Sequence, residues 1–157
     1  MNIAAHMQAA AEDSPDRPAI ALGARVLLRY GELADRVSRL AHALRHQYKL
    51  LKGERVALVM KNSPEYLETL YACWHAGLIA IPINAKLHRN EFAYILEDSG
   101  ARLCFVTPDV VDTISPLLVD PLQTIIDVST DEYASMLSEE QLTLCSVDPE
   151  DAAWLFY

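Results

Sequence analysis

The chain has 157 residues, 52% of them hydrophobic and 22% charged, with 13 Lys+Arg against 22 Asp+Glu for a formal charge of -9 at pH 7. This length and composition suit one folded domain and exclude a disordered chain, and the acidic balance with no Lys/Arg cluster argues against nucleic-acid or lipid-headgroup binding while leaving a basic partner compatible. Cys73, Cys104 and Cys145 lie far apart with no CxxC pair, which predicts neither a disulfide framework nor a zinc knuckle and points to a reducing, cytoplasmic compartment. No apolar run approaches the roughly 20 residues of a membrane-spanning helix, and the first residues carry no basic stretch before an apolar one.

In chain order, Ile3, Met7 and Ala10 at helical spacing predict a short helix over 3–11, ended by the turn Ser14-Pro15-Asp16-Arg17-Pro18. Ala19–Leu22 and Val26–Tyr30 flank Gly23-Ala24-Arg25 as a hairpin. From Gly31, the spacing of Leu33, Val37, Leu40, Ala41 and Leu44 predicts the clearest helix, with Glu32–Arg36 and Asp35–Arg39 as i,i+4 ion pairs. Val56–Met60 is then a buried-type strand. Ser63 as N-cap and Pro64 at the first position open a helix with Leu67, Leu70, Tyr71 and Trp74 inward, closed by Gly77.

The alternation continues with a strand at Leu78–Ile83, a helix at Asn90–Ser99 ended by Gly100, and a strand at Leu103–Val106. A helix from Thr107-Pro108 to Leu118 and a strand at Gln123–Val128 follow, then a turn at Asp148–Asp151 and a last strand at Ala152–Tyr157. Strands apolar on both faces and linked by helices predict an α/β fold: a mostly parallel, doubly wound sheet in three layers, with an N-terminal helix and hairpin. Stopping inside a buried-type strand predicts an incomplete part of something longer.

Few residues suggest chemistry. The five glycines, at 23, 31, 53, 77 and 100, form neither GxGxxG nor a GxxxxGK[ST] loop, so a self-sufficient nucleotide enzyme is not expected. His42 and His46, four apart, have a metal-pair spacing, but Arg39 shares their face and no carboxylate ligand follows, which favours a solvated face. Cys73 and His75 point apart on a helix, which favours Cys73 as a core residue. Asn62-Ser63-Pro64-Glu65 lies where open α/β sheets bind anions, yet Glu65 answers the helix dipole itself, which favours capping. Asn84-Ala85-Lys86-Leu87-His88-Arg89 offers two cations and a histidine at the same sheet edge, either for a phosphate-bearing ligand or as a solvated loop. Glu97 and Asp98, near a helix C-terminus, call for exposure or a partner elsewhere.

Six segments carry a resemblance. Tyr30-Gly31-Glu32-Leu33, Gly53-Glu54-Arg55-Val56-Ala57, Asn62-Ser63-Pro64-Glu65-Tyr66, Ala76-Gly77, Ile81-Pro82-Ile83-Asn84 and Tyr94-Ile95-Leu96-Glu97-Asp98-Ser99-Gly100-Ala101 resemble, in order, the amino-terminal part of the adenylate-forming, AMP-forming acyl-CoA synthetases. The resemblance covers about residues 8–157 and fits fatty-acid and aryl-acid ligases alike. Asp151–Tyr157 is similar to the family strand that leads into a Thr/Ser/Gly-rich phosphate loop, which is missing here.

The resemblance implies a large-domain portion made of a helix and hairpin (1–30), an alternating strand/helix core (31–128) and a linker with a final strand (129–157). It implies a ligase that joins a carboxylic acid to coenzyme A through an acyl-adenylate with Mg-ATP, as in fatty-acid metabolism. The family residues that do this lie beyond Tyr157, so no catalytic, cofactor-binding or metal residue is assigned and this chain alone is expected to be inactive. Its implied partner is the remainder of the ligase, with homo-oligomerisation open. His88 stands where the family commonly has a capping Ser or Thr, which predicts loss of the capping box with Glu91. The alternative reading is a free-standing interaction module pairing through its last strand.

Overall fold

The computed structural model describes residues 1–118 and 120–157. Four strands, β3 (Arg55–Val59), β4 (Ile79–Ile83), β5 (Ala101–Val106) and β6 (Thr124–Asp127), form an all-parallel sheet in the order β4-β3-β5-β6. Side chains alternate across a strand, so each strand feeds two cores. Val56, Leu58, Ala80, Leu103, Phe105 and Ile126 face one core with α2 (Tyr30–His42), α3 (Pro64–His75) and α6 (Asp131–Met136). Ala57, Val59, Ile81, Cys104 and Val106 face the other, with α4 (Arg89–Ser99) and α5 (Val111–Ile114). Three layers follow. A third cluster of Met7, Ile20, Leu33 and Val37 joins α1 (Ala4–Asp13) and the hairpin β1 (Pro18–Leu22) and β2 (Arg25–Arg29) to α2.

Several local expectations are corrected. The helix from Gly31 becomes a π-helical turn at Ala43–Gln47, within which Arg45 Nη1 donates to the Ala76 carbonyl at 2.9 Å. Asp35–Arg39 pairs at 2.9 Å, but Arg36 bridges to Glu68 at 2.7 Å and Glu32 instead accepts from the Arg29 N–H at 2.8 Å. Leu67, expected inward, is 38% exposed, while Glu68 is 1% exposed. Glu68 turns the buried arc of α3 toward itself because Arg36 and the Tyr133 hydroxyl, 2.7 Å away, satisfy its carboxylate. Ser63 sits at the N-cap with extended backbone, but its hydroxyl makes no cap bond and is buried without a partner among the described residues.

Residues 107–110 turn rather than coil, because the Val110 N–H returns to the Thr107 carbonyl at 3.1 Å and Asp109 is drawn to Lys61. Helix begins only at Val111 and tightens to a 3₁₀ turn at Ser115–Leu117. The capping box expected to be lost is kept: the Glu91 carboxylate accepts from the His88 N–H at 2.8 Å, a bond independent of the cap residue's side chain. α6 has no counterpart among the elements expected from periodicity, although Thr130 precedes an acidic first turn and Tyr133 and Met136 at i,i+3 are buried. The last strand reduces to one parallel bridge, Trp154 to Ala80 on the free edge of β4, through two 3.0 Å bonds.

Candidate functional site

Parallel strands aim all their C-terminal ends at one edge, and ligands of open α/β sheets bind there, beside the strand at which the winding reverses. β3 is that strand, with β4 on one side and β5 on the other. Beyond its end lie Met60, Lys61 and Asn62; beyond β4 lie Asn84–Arg89; beyond β5 lie Thr107–Asp109. A cleft of about 380 Å³ opens between the ends of β3 and β4, with Tyr66 and Phe156 as its aromatic wall and Lys61, Asn62, Asn84 and Lys86 around it.

The two sides of β3 differ in charge. Toward β5, Lys61 Nζ is 2.9 Å from Asp109 and the Lys61 N–H donates to Thr107 Oγ1 at 3.2 Å. The hydrogen bond from Lys61, then that from Thr107, hold the Asp109 carboxyl below its usual range, so this crevice already contains its anion. Toward β4, Lys86 and Arg89 have no ion-pair partner among the described residues. The Lys86 N–H is tied to Asn84 Oδ1 at 3.0 Å, which shapes the loop and leaves its ammonium exposed. The cleft can pair an anionic group with Lys86 and rest an apolar or aromatic group on Tyr66 and Phe156, while Arg89, the first residue of α4, lies outside its lining. At the start of α3 the Glu65 carboxylate occupies the first turn, so the dipole there is already answered.

His42 and His46 stack with centroids 4.4 Å apart, and a carboxylate does approach: Glu139 Oε2 is 3.4 Å from His42 Nδ1. Even so, no group of three His, Cys, Asp or Glu suits a metal among the described residues. Cys73 and Cys104 are buried free thiols; desolvation raises both pKa values, that of Cys104 up to about 12. Such thiols stay protonated and inert. His75 hydrogen-bonds to the Leu142 carbonyl rather than to Cys73. Asp98 finds the partner it called for, accepting from the Tyr157 hydroxyl at 2.8 Å. Sequence reasoning missed the aromatic wall, because Phe156 reaches the cleft only through the pairing of Trp154 with Ala80, 74 positions away in the chain.

Residues 7–157 match the family described as AMP-binding enzyme. The chain is 38% identical over 123 residues to a feruloyl-CoA synthase of an Amycolatopsis species, covering 76% of this chain and 25% of that protein. It is 31% identical over 156 residues to 3-hydroxybenzoate–CoA ligase of Aromatoleum, covering 94% and 29% respectively. Among solved structures, a Mycobacterium tuberculosis fatty acyl CoA synthetase superposes with a TM-score of 0.86 at 25% identity, over 99% of this chain and 32% of that one. The chain thus spans about a quarter to a third of the length of these relatives.

Proposed function

The chain belongs to the AMP-binding enzyme family, and from that premise we propose that it is the amino-terminal structural portion of an AMP-forming acyl-CoA ligase. In the whole enzyme a carboxylic acid, ATP and coenzyme A would give an acyl-CoA, AMP and pyrophosphate. The match running from residue 7 to residue 157 carries this reading. Relatives named for feruloyl, hydroxybenzoate and fatty-acid substrates support the class of acid, aromatic or fatty. The same reading places the enzyme in the cytoplasm; no helix among the described residues is long and apolar enough to cross a membrane.

The residues present do not make a Mg-ATP site on their own. A phosphate cradle needs clustered backbone N–H groups at a helix N-terminus. Here the glycines serve turns and packing: Gly23, Gly53, Gly77 and Gly100 have positive φ, and Gly31 packs on Pro15. This chain's part is to present the edge cleft, with Lys86 available to a phosphate-bearing ligand, Arg89 on the adjoining first turn of α4, and the 152–157 segment laid on β4. Exchange of labelled pyrophosphate into ATP, dependent on added carboxylate, tests the reading. Residues 1–157 should show none, and the same chain continued through the phosphate loop and small domain should show it and form AMP and an acyl-CoA. Turnover by residues 1–157 alone would overturn the scaffold role, and an extended chain inert toward aliphatic and aromatic acids would overturn the ligase.

A second reading, an interaction module working through its last segment, is favoured by Trp154, Phe156 and Tyr157 being 44%, 66% and 54% exposed. Sedimentation separates it from a passive scaffold.

A further inference from the structure

Residues 139–147 have no regular secondary structure, yet they are pinned across α2 and α3 by a series of specific bonds. Arg39 Nη1 donates to the Glu139 carbonyl at 2.7 Å, Gln141 Nε2 to Asp35 Oδ1 at 2.7 Å, and the Leu142 N–H to the Ser38 carbonyl at 3.1 Å. The Cys145 N–H donates to the His75 carbonyl at 2.9 Å, and Asn2 Nδ2 to the Cys145 carbonyl at 3.0 Å. From α3 the His75 ring supplies a side-chain hook, its Nε2 lying 2.7 Å from the Leu142 carbonyl.

A carbonyl only accepts, so Nε2 carries the proton and Nδ1 of the neutral ring is bare. His75 is 4% exposed and its Nδ1 is buried without a hydrogen-bond partner among the described residues. A second proton would therefore create a buried charge and a buried N–H with no acceptor. Glu12 of α1 and Asp35 of α2 line the same cleft as His75, but Asp35 is engaged by Arg39 and Gln141, and neither carboxylate bonds to the ring. Arg45, on the Ala76 carbonyl, adds a cation next in sequence. Cys73 on the same helix is a buried neutral thiol, and between 140 and 148 the strap carries no charge.

We propose that residues 139–147 are an acid-released latch, held shut by neutral His75 and freed when its ring is protonated, which loosens the 152–157 segment that the strap carries to β4. Burial lowers the His75 pKa from its ordinary 6.5, opposed by the Leu142 bond. The closed strap thus binds the proton less readily than the open one. Its stabilisation is full above pH 6.5 and is lost as pH falls from there toward the lowered pKa, with opening favoured by up to about tenfold per pH unit.

Native-state hydrogen exchange between pH 7.5 and 5, with rates corrected for intrinsic pH dependence, tests the latch. Protection of the Leu142 and Cys145 amides should fall about tenfold or more, while Ala57 and Leu58 in β3 stay unchanged. His75→Gln keeps a donor and does not titrate, so whatever its absolute protection the pH dependence of these two amides should vanish. His42→Gln, which removes the ring facing Glu139, should leave that dependence intact. In the unaltered chain, the imidazole ¹⁵N signals of His75 should show an Nε2–H tautomer titrating below 6.5. Constant strap protection in the unaltered chain, the same pH response in His75→Gln, or its loss in His42→Gln would overturn the proposal.

Discussion

Gly77 carries two constraints at once. Its φ is +71°, where side chains with a Cβ are strained, and a Cβ there would sit 2.7 Å from Cys145 Sγ. Gly100 shares the first constraint, with φ +66°, but has open space around it. Gly100→Ala should cost about 1 kcal/mol from backbone strain alone, and Gly77→Ala about 1–3 kcal/mol more, from overpacking. Urea midpoints at constant m-value check the order; equal losses would show that Cys145 gives way freely. At this scale the sequence was legible where a side chain's partner is near in the chain, as with Asp35 and Arg39. It was illegible at Arg36, whose partner Glu68 comes from another helix and looks like a surface residue until Tyr133 closes over it.

Whole elements were read well where hydrophobic period and length agreed. β3 is buried on four of its five residues and β5 on five of its six, a both-faces pattern that only a covered parallel sheet produces. Reading failed where tertiary bonds override local preference: Thr107 and Asp109 are spent on Lys61, which delays α5 to Val111. α6 has six residues, too few to be stable alone. It docks through Tyr133 and Met136, both buried, and Tyr133 reaches the Glu68 carboxylate. Tyr133→Phe should cost about 1.5–3 kcal/mol, the range for a hydrogen bond to a charged group, and should weaken amide protection in α6 before that in β3. An unaltered urea midpoint would mean that Glu68 is satisfied by Arg36 alone. The edge cleft was half legible for the same reason: its loops follow strands that periodicity reveals, while its aromatic wall depends on where the last segment docks.

Across the whole molecule, charge and apolar surface are divided unevenly. Every one of the 13 Lys+Arg lies at or before Arg102, while half of the 22 Asp+Glu lie after it. The two parts meet through exposed pairs such as Lys61–Asp109 at 2.9 Å and Lys52–Asp151 at 3.0 Å, which solvent and salt screen so that they hold the parts together only weakly. The acidic part also carries the exposed Trp154, Phe156 and Tyr157 beside a segment with a single bridge to β4. Contiguous apolar surface next to unpaired backbone favours association with a second copy, and a charge of -9 on each copy opposes it. Salt separates the two effects, because it screens repulsion between exposed charges and leaves apolar burial intact. Sedimentation at about 10–100 µM, a concentration range where exposed apolar surface drives association, should therefore show more dimer at about 0.5 M salt than at about 0.05 M. Replacing Trp154 and Phe156 together by Ser should return the monomer at both salts, at the cost of the edge contact of Trp154 on Trp74, whose ring centroids lie 5.2 Å apart. A monomer under all conditions, or association that survives the double replacement, would show that this surface does not drive pairing.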